Sequence, residues 1–212
     1  MDSKIHWERI YRTRRPDEVS WFQREPAISA QMIRRAVPDT SARIIDVGGG
    51  ASSLVDTLLH DGYSALTVLD LSSAALTHAR ERLGPSGRAI EWVEADVLTT
   101  NLPPASIDVW HDRAVFHFLT APADRDAYIA QVRRAVRPGG HVLVATFAED
   151  GPAQCSGLPV ARYSAQRLHD AFGLSFQLVE SVREEHVTPS GNRQSFIYCL
   201  CRFVPRAGTR AA

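Results

Sequence analysis

Between residues 42 and 147 the chain alternates short apolar runs with helix-patterned segments, and this alternation restricts the fold more than any other feature. The strand-like runs are ARIIDV, ALTVLD, AIEWVEAD, SIDVWH and HVLVATF. Between them lie SSLVDTLLHDG, SSAALTHARERLG and ADRDAYIAQVRRAV, each with apolar residues at helical spacing. Ser72 or Ser73 predicts an N-cap, and Gly62 and Gly84 predict C-terminal stops. Strands joined by helices of this length form parallel sheets with right-handed crossovers. The ending differs, because LSFQLVESVREEHV and QSFIYCLCRFV are two strand-like runs joined by TPSGN. Pro189, Gly191 and Asn192 supply turn chemistry, which predicts an antiparallel hairpin. Five strands and this hairpin make an α/β, mostly parallel, seven-stranded sheet with helices on both faces.

At 212 residues the chain is long enough for one domain with a sizeable core. Lys plus Arg and Asp plus Glu number 24 each, so no global field points to nucleic acid or to an acidic membrane. The N-terminal stretch has no apolar signal core, and no run is long enough to cross a bilayer, which predicts a cytoplasmic protein. Cys155, Cys199 and Cys201 do not read as a disulfide framework, and no metal cluster is expected. Residues 1–205 are expected to form a single domain. Within it, 1–40 make an N-terminal helical lid, 41–147 a ligand-binding core, and 148–205 a substrate-shaping insert with the hairpin. Residues 206–212 are expected to form a loose tail.

The first strand runs into Asp46, Gly48, Gly49 and Gly50. Glycines at the carboxyl end of a parallel strand let the chain turn sharply and let a ligand touch the backbone. No lysine lies near them, so the loop does not fit the phosphate-binding pattern of a nucleoside triphosphatase. Gly48 and Gly50 match two positions of a dinucleotide fingerprint, but Ser53 stands at the third. Asp70 ends the second strand about 20 residues on, at the spacing where a carboxylate accepts from ribose hydroxyls. Asp96 ends the third strand, where it can accept from an adenine amino group.

The segments IIDVGGGASSLVDTLL, VLDLSSAALTHAR, VEADVLTTNLP, SIDVWHDRAVFHFL and VRPGGHVLVATF, in this order, resemble the successive motifs of class I S-adenosylmethionine-dependent methyltransferases. The resemblance spans roughly Arg43 to Phe147 and implies a Rossmann-like fold with S-adenosylmethionine as cofactor. It implies that Asp46 and the backbone at Gly48, Gly49 and Gly50 hold the methionine part. It places Asp70 on the ribose, Leu71 against adenine, Asp96 and Val97 in the adenine site, and the backbone near His111 and Asp112 beside the sulfonium. Ser52 stands where the family's loop has its last glycine. IHWERIYRTRRPDEVSWFQREP resembles the N-terminal lid of thiopurine-type and translation-factor lysine methyltransferases. In that likeness Trp21 closes over the methionine moiety and Trp7 stands at the substrate entrance. A helix at residues 4–12 would set Trp7 and Tyr11 on one face.

The implied chemistry is in-line displacement of the methyl group, which needs positioning and dehydration more than acid–base help. His117, followed by His111 and Asp112, is the candidate base set, since it follows the fourth strand at the mouth of the site. Asp112 and Arg113 also suggest a local ion pair. Trp7, Tyr11, Arg113, Arg162 and His186 are candidate acceptor contacts. The expected acceptor is a small thiol, chalcogen species or compact metabolite, handled by a monomer or weak dimer. A protein lysine is the alternative acceptor. An NAD-dependent oxidoreductase and a non-catalytic cofactor-binding module are the remaining readings.

Overall fold

The computed structural model describes residues 3–205, so the expected loose tail at 206–212 lies outside the described residues. The chain opens with α1 (Ser3–Thr13) and α2 (Ala27–Ala36), joined by a loop with a 3-10 turn at Pro16–Glu18. Then come β1 (Arg43–Val47), α3 (Leu54–His60), β2 (Ala65–Asp70), α4 (Ser73–Leu83) and β3 (Glu91–Glu94). The second half holds β4 (Ile107–Arg113), α5 (Pro122–Ala135), β5 (Val136–Phe147), β6 (Gln154–Cys155) and β7 (Leu158–Pro159). It ends with α6 (Ala165–Phe172), β8 (Phe176–Val187) and β9 (Arg193–Phe203).

Seven strands pair in the order β3-β2-β1-β4-β5-β9-β8, with β9 antiparallel to both β5 and β8. This is the expected mostly parallel sheet with its closing hairpin. The strand order reverses between β1 and β4, so the crevice above their carboxyl ends is where an open α/β sheet takes its ligand. The predicted Ser72 cap is present, its hydroxyl accepting from the Ala75 amide at 3.2 Å.

Side-chain alternation divides the core across the sheet. Ile45, Trp110 and Val144 pack on one face with Tyr128 and Val132 of α5 and Phe172 of α6. Ile44, Val109 and Leu143 pack on the other with Met32 and Ile33 of α2 and Leu54 of α3. Both faces of the central strands are therefore apolar, as parallel strands covered on two sides require.

Two local features lie outside the elements expected from the sequence. RPGG does not separate α5 from the fifth strand but is absorbed into β5, with a register shift against β4 between Ile107 and Val109. Cys155-Ser156-Gly157-Leu158 folds as a tight turn joining β6 to β7, with φ of +53° at Ser156 and +78° at Gly157. The Ser-Gly pair is the signal for that turn. Among the described residues no helix is long and apolar enough to cross a membrane.

Candidate active site

A cavity of about 210 Å³ opens above the carboxyl ends of β1, β2, β3 and β4. One end is acidic, formed by Asp70 and Leu71 after β2 and by Asp96 and Val97 after β3. The other is aromatic, formed by Trp7 and Tyr11 of α1, Trp21 and Phe118, with Cys155 beside them. A second cavity, of about 50 Å³, shares Tyr11, Trp21, Gly48 and Arg113 with the first. It adds Asp46, Gly49, Ser29 and His111.

The three glycines are required by their neighbours. Gly48 adopts φ +68°, and a Cβ there would sit 2.1 Å from Val115 Cγ2. A Cβ on Gly49 would sit 2.4 Å from Asp46 Oδ2, and one on Gly50 would sit 2.5 Å from Asp70 Oδ2. The loop thus leaves room for two carboxylates as well as for a ligand.

Asp70 is 7% exposed, and burial raises its carboxyl to about 7 against the lowering pull of nearby amides, while Asp46 adds to the rise. The Ser72 amide donates to Asp70 Oδ1 at 2.8 Å. Asp46 Oδ1 accepts from His111 Nδ1–H at 2.6 Å. Its Nε2 is hydrogen-bonded to the Ser29 hydroxyl at 2.9 Å. Asp46 Oδ2 is buried and has no hydrogen-bond partner among the described residues. Arg113 donates from Nε to Tyr198 Oη at 2.8 Å and from Nη1 to the Trp21 carbonyl at 3.0 Å. Its Nη2 is buried and ion-paired with Glu184 Oε2 at 3.6 Å, with no closer hydrogen-bond partner among the described residues.

The aromatic end is an edge-packed box. The Trp7 ring lies 5.6 Å from Trp21 and 5.1 Å from Phe118, both near perpendicular. Trp21 Nε1 donates to Tyr11 Oη at 3.2 Å. Helix α1 is tied down by Glu8, which accepts from the Ser72 hydroxyl at 2.7 Å, and by His78, which donates to the Tyr11 carbonyl at 2.8 Å.

Trp7, Tyr11, Trp21, Gly48, Asp70, Leu71, Asp96, Val97 and Arg113 are therefore brought to one cavity. Asp46, Gly49 and His111 stand in the adjoining one. Gly50 lies beneath Asp70. Sequence reading did not assign Val115, Phe118, Asp124, Cys155 or Ser29 to the site, since only the fold brings each of them to a cavity.

Four candidates stand elsewhere. His117 is fully buried in a 3-10 turn at Phe116–Phe118 and lines neither cavity. Its ring packs 4.4 Å from Phe118 and 4.8 Å from Phe147. Burial, reinforced by Arg113, lowers it to about 3, so it is a neutral core residue and not a base facing the cavity. Asp112 is also fully buried and accepts from the amides of Val115 and Phe116 and from Tyr128 Oη at 2.5 Å. It shapes the loop after β4 and makes no pair with Arg113, because consecutive strand residues face opposite sides. Arg162 is exposed and donates to the Gly151 carbonyl at 3.2 Å. His186 is buried and donates to the Ser20 carbonyl at 2.8 Å, tying the hairpin to the loop between α1 and α2.

The depressed His117 value fixes a pH trend. The folded state prefers the neutral ring, so its contribution to stability is present above about 6.5 and is lost as pH falls toward about 3. In His117→Phe that part of the acid destabilisation is expected to vanish in thermal melts between pH 7 and 4, with cofactor affinity unchanged. A melt profile parallel to the wild type across that range contradicts the placement of this ring.

The residues fit the cofactor implied by the motifs. The glycine cradle admits a ligand against the backbone, Asp70 faces the cavity, Asp46 Oδ2 is a buried carboxylate oxygen with no hydrogen-bond partner among the described residues, and Arg113 brings a cation to both cavities. Comparison with known proteins agrees. Residues 45–144 match the family model described as a methyltransferase domain. The eEF1A lysine and N-terminal methyltransferase of Bos taurus is 21% identical over 96% of this chain and 29% of its own length. An uncharacterized methyltransferase of Mycobacterium bovis is 29% identical over 52% of this chain and 53% of its own. The chain spans 22% to 29% of the length of the first curated relatives it matches. Among solved structures, one from work on conversion of a disulfide bond into a thioacetal group during echinomycin biosynthesis superposes with a TM-score of 0.77. It is 20% identical and covers 97% of this chain and 94% of its own. The 1,6-didemethyltoxoflavin-N1-methyltransferase of Burkholderia thailandensis, with S-adenosylhomocysteine bound, superposes with a TM-score of 0.71 at 20% identity, covering 96% and 85%. The motifs in their order, the cradle at the sheet's switch point and the matching domain model lead to one assignment: residues 45–144 carry a methyltransferase domain, in the fold of S-adenosylmethionine-dependent methyltransferases.

Proposed function

We propose that the chain transfers the methyl group of S-adenosylmethionine by in-line displacement to a small-molecule nucleophile, a thiol, chalcogen species or compact metabolite. The observation that carries this reading is the aromatic box of Trp7, Tyr11, Trp21 and Phe118, which adjoins the acidic end within one cavity. A lysine ammonium must lose a proton before it attacks and is best received by carboxylates. The rings instead offer apolar walls, which exclude water and attract a cationic sulfur. His111 already uses both ring nitrogens and His117 is packed away, which favours an acceptor that is ionised or carries a free lone pair without help.

In this reading Asp70 accepts from the ribose hydroxyls and Leu71 and Val97 flank adenine, with Asp96 at its edge. Asp46 Oδ2 receives the ammonium of the methionyl end, and Arg113 Nη2 receives its carboxylate. Residues 1–40 act as the lid and 148–205 shape the acceptor space. The cofactor, when bound, supplies the activated methyl group; the residues supply position and dryness.

A second reading, transfer to a protein lysine, is favoured by the similarity to the eEF1A lysine and N-terminal methyltransferases over 96% of the chain. Labelled S-adenosylmethionine offered with thiols, amines, hydroxyl compounds and lysate proteins separates the two. Label in a low-mass thiol or chalcogen product is expected. Label confined to a protein band contradicts the small-molecule reading.

A further inference from the structure

Helix α1 contributes to the acidic end of the cavity through a residue that does not line it. Glu8 projects from α1 onto the N-terminus of α4. Its Oε2 accepts from the Ser72 hydroxyl at 2.7 Å and from the Ala74 amide at 3.2 Å, and its Oε1 accepts from the Ser73 hydroxyl at 3.2 Å. Arg12, one helical turn on, donates to Oε1 at 2.8 Å. Partial burial pushes the Glu8 carboxyl up, but the donors from Ser72, Ala74, Arg12 and Ser73 outweigh it and hold it down at about 2. It is therefore ionised at working pH, and an anion is well placed at a helix N-terminus.

Ser72 links this contact to the cavity. It is fully buried, and its hydroxyl donates to Glu8 while accepting from the Ala75 amide. With the side chain held on both sides, the backbone amide of the same residue donates to Asp70 Oδ1 at 2.8 Å. The Gly50 and Leu71 amides also bond this carboxylate, and a Cβ on Gly50 would lie 2.5 Å from Asp70 Oδ2, so the Ser72 amide sets the direction of the carboxylate together with these amides and the missing Cβ. We propose that Glu8 is a positioning residue, which acts through Ser72 to hold the Asp70 carboxylate toward the ribose of the cofactor. The proposal rests on the reading of Asp70 as the ribose acceptor.

A lid residue of purely structural importance would weaken every nucleoside alike when removed. A residue that aims Asp70 affects only ligands with ribose hydroxyls to offer. The test is therefore a ratio: the affinities of adenosine and 2′,3′-dideoxyadenosine, measured by displacement of S-adenosylhomocysteine from the whole protein. The wild type is expected to prefer adenosine by about tenfold or more, the value of a hydrogen bond to a charged group. Glu8→Ala is expected to compress that ratio to about threefold or less. Glu8→Gln keeps an acceptor for Ser72 and is expected to retain most of it. His78→Ala, which loosens the same helix at the Tyr11 carbonyl, is expected to keep the ratio intact.

A Glu8→Ala protein that loses both nucleosides by one common factor, or loses neither, overturns the proposal. Should Asp70→Asn keep the wild-type ratio, the ribose reading itself falls and takes the proposal with it. A ratio abolished by Asp70→Asn and untouched by Glu8→Ala removes Glu8 alone.

Discussion

Asp70→Asn is expected to weaken cofactor binding while making the free protein more stable at pH 8. The binding loss follows from replacing a charged acceptor for the ribose hydroxyls with an amide that mismatches one of them. Such bonds contribute about 1.5–3 kcal/mol, or roughly 10- to 150-fold in affinity. The stability gain has the opposite cause. Burial holds the folded-state carboxyl at about 7, whereas an unfolded aspartate ionises near 3.9. Its contribution to stability is thus fully present below about 4 and is lost as pH rises through about 7. Above that, the free protein carries a buried ionised carboxylate that an amide removes. The advantage of Asp70→Asn should be absent at pH 4 and reach the order of 1–3 kcal/mol at pH 8. Burial raises Asp112 to about 6, with the same sign, so the difference between the two proteins is what isolates position 70. Paired denaturant titrations at the two pH values, with calorimetry for the cofactor, read both halves. Equal affinity in the two proteins contradicts the ribose role, and equal stability at pH 8 contradicts the burial argument.

Gly48→Ala is the second large effect. The position needs φ +68°, where a side chain is strained, and the new Cβ would lie 2.1 Å from Val115 Cγ2. Backbone strain and overpacking together predict a destabilisation of about 2–4 kcal/mol. Cofactor affinity should fall with it, because Gly48 lines both cavities. Val115→Ala in the same chain opens the space taken by that methyl and is expected to restore the packing part, leaving the strain. Two variants whose effects simply add would show that Val115 is not the obstacle.

The acidic and glycine-rich side of the cavity was legible in the sequence because its residues sit at strand ends, and strand ends are marked by acids and glycines. Asp46, Asp70 and Asp96 each close or follow an apolar run, and the sheet gathers those ends along one edge. The acceptor side was harder to read. His117 follows the fourth strand in sequence, but Ala114 adopts φ +75° and a 3-10 turn follows, which sends the ring under the loop rather than over it. No composition signal marks a non-glycine residue in that conformation. The expected Asp112–Arg113 pair fails by strand alternation alone, which the sequence did contain. His111 and Arg113 share one face and reach the smaller cavity, while Trp110 and Asp112 share the other and meet Tyr128. His186 and Glu184 come from the last hairpin, more than 160 residues after the loop between α1 and α2 that they hold. Pairings over that distance depend on the complete sheet order, which local pattern does not supply.

The central claim is that the cavity between the glycine cradle and Asp70 receives the adenosyl group of the cofactor. A crystal structure with S-adenosylhomocysteine tests it most directly. The account predicts ribose hydroxyls on the Asp70 carboxylate, adenine between Leu71 and Val97, and the homocysteine end on the Asp46 and Arg113 side. A nucleoside bound away from Asp70, or a cavity left empty at saturating ligand, contradicts it.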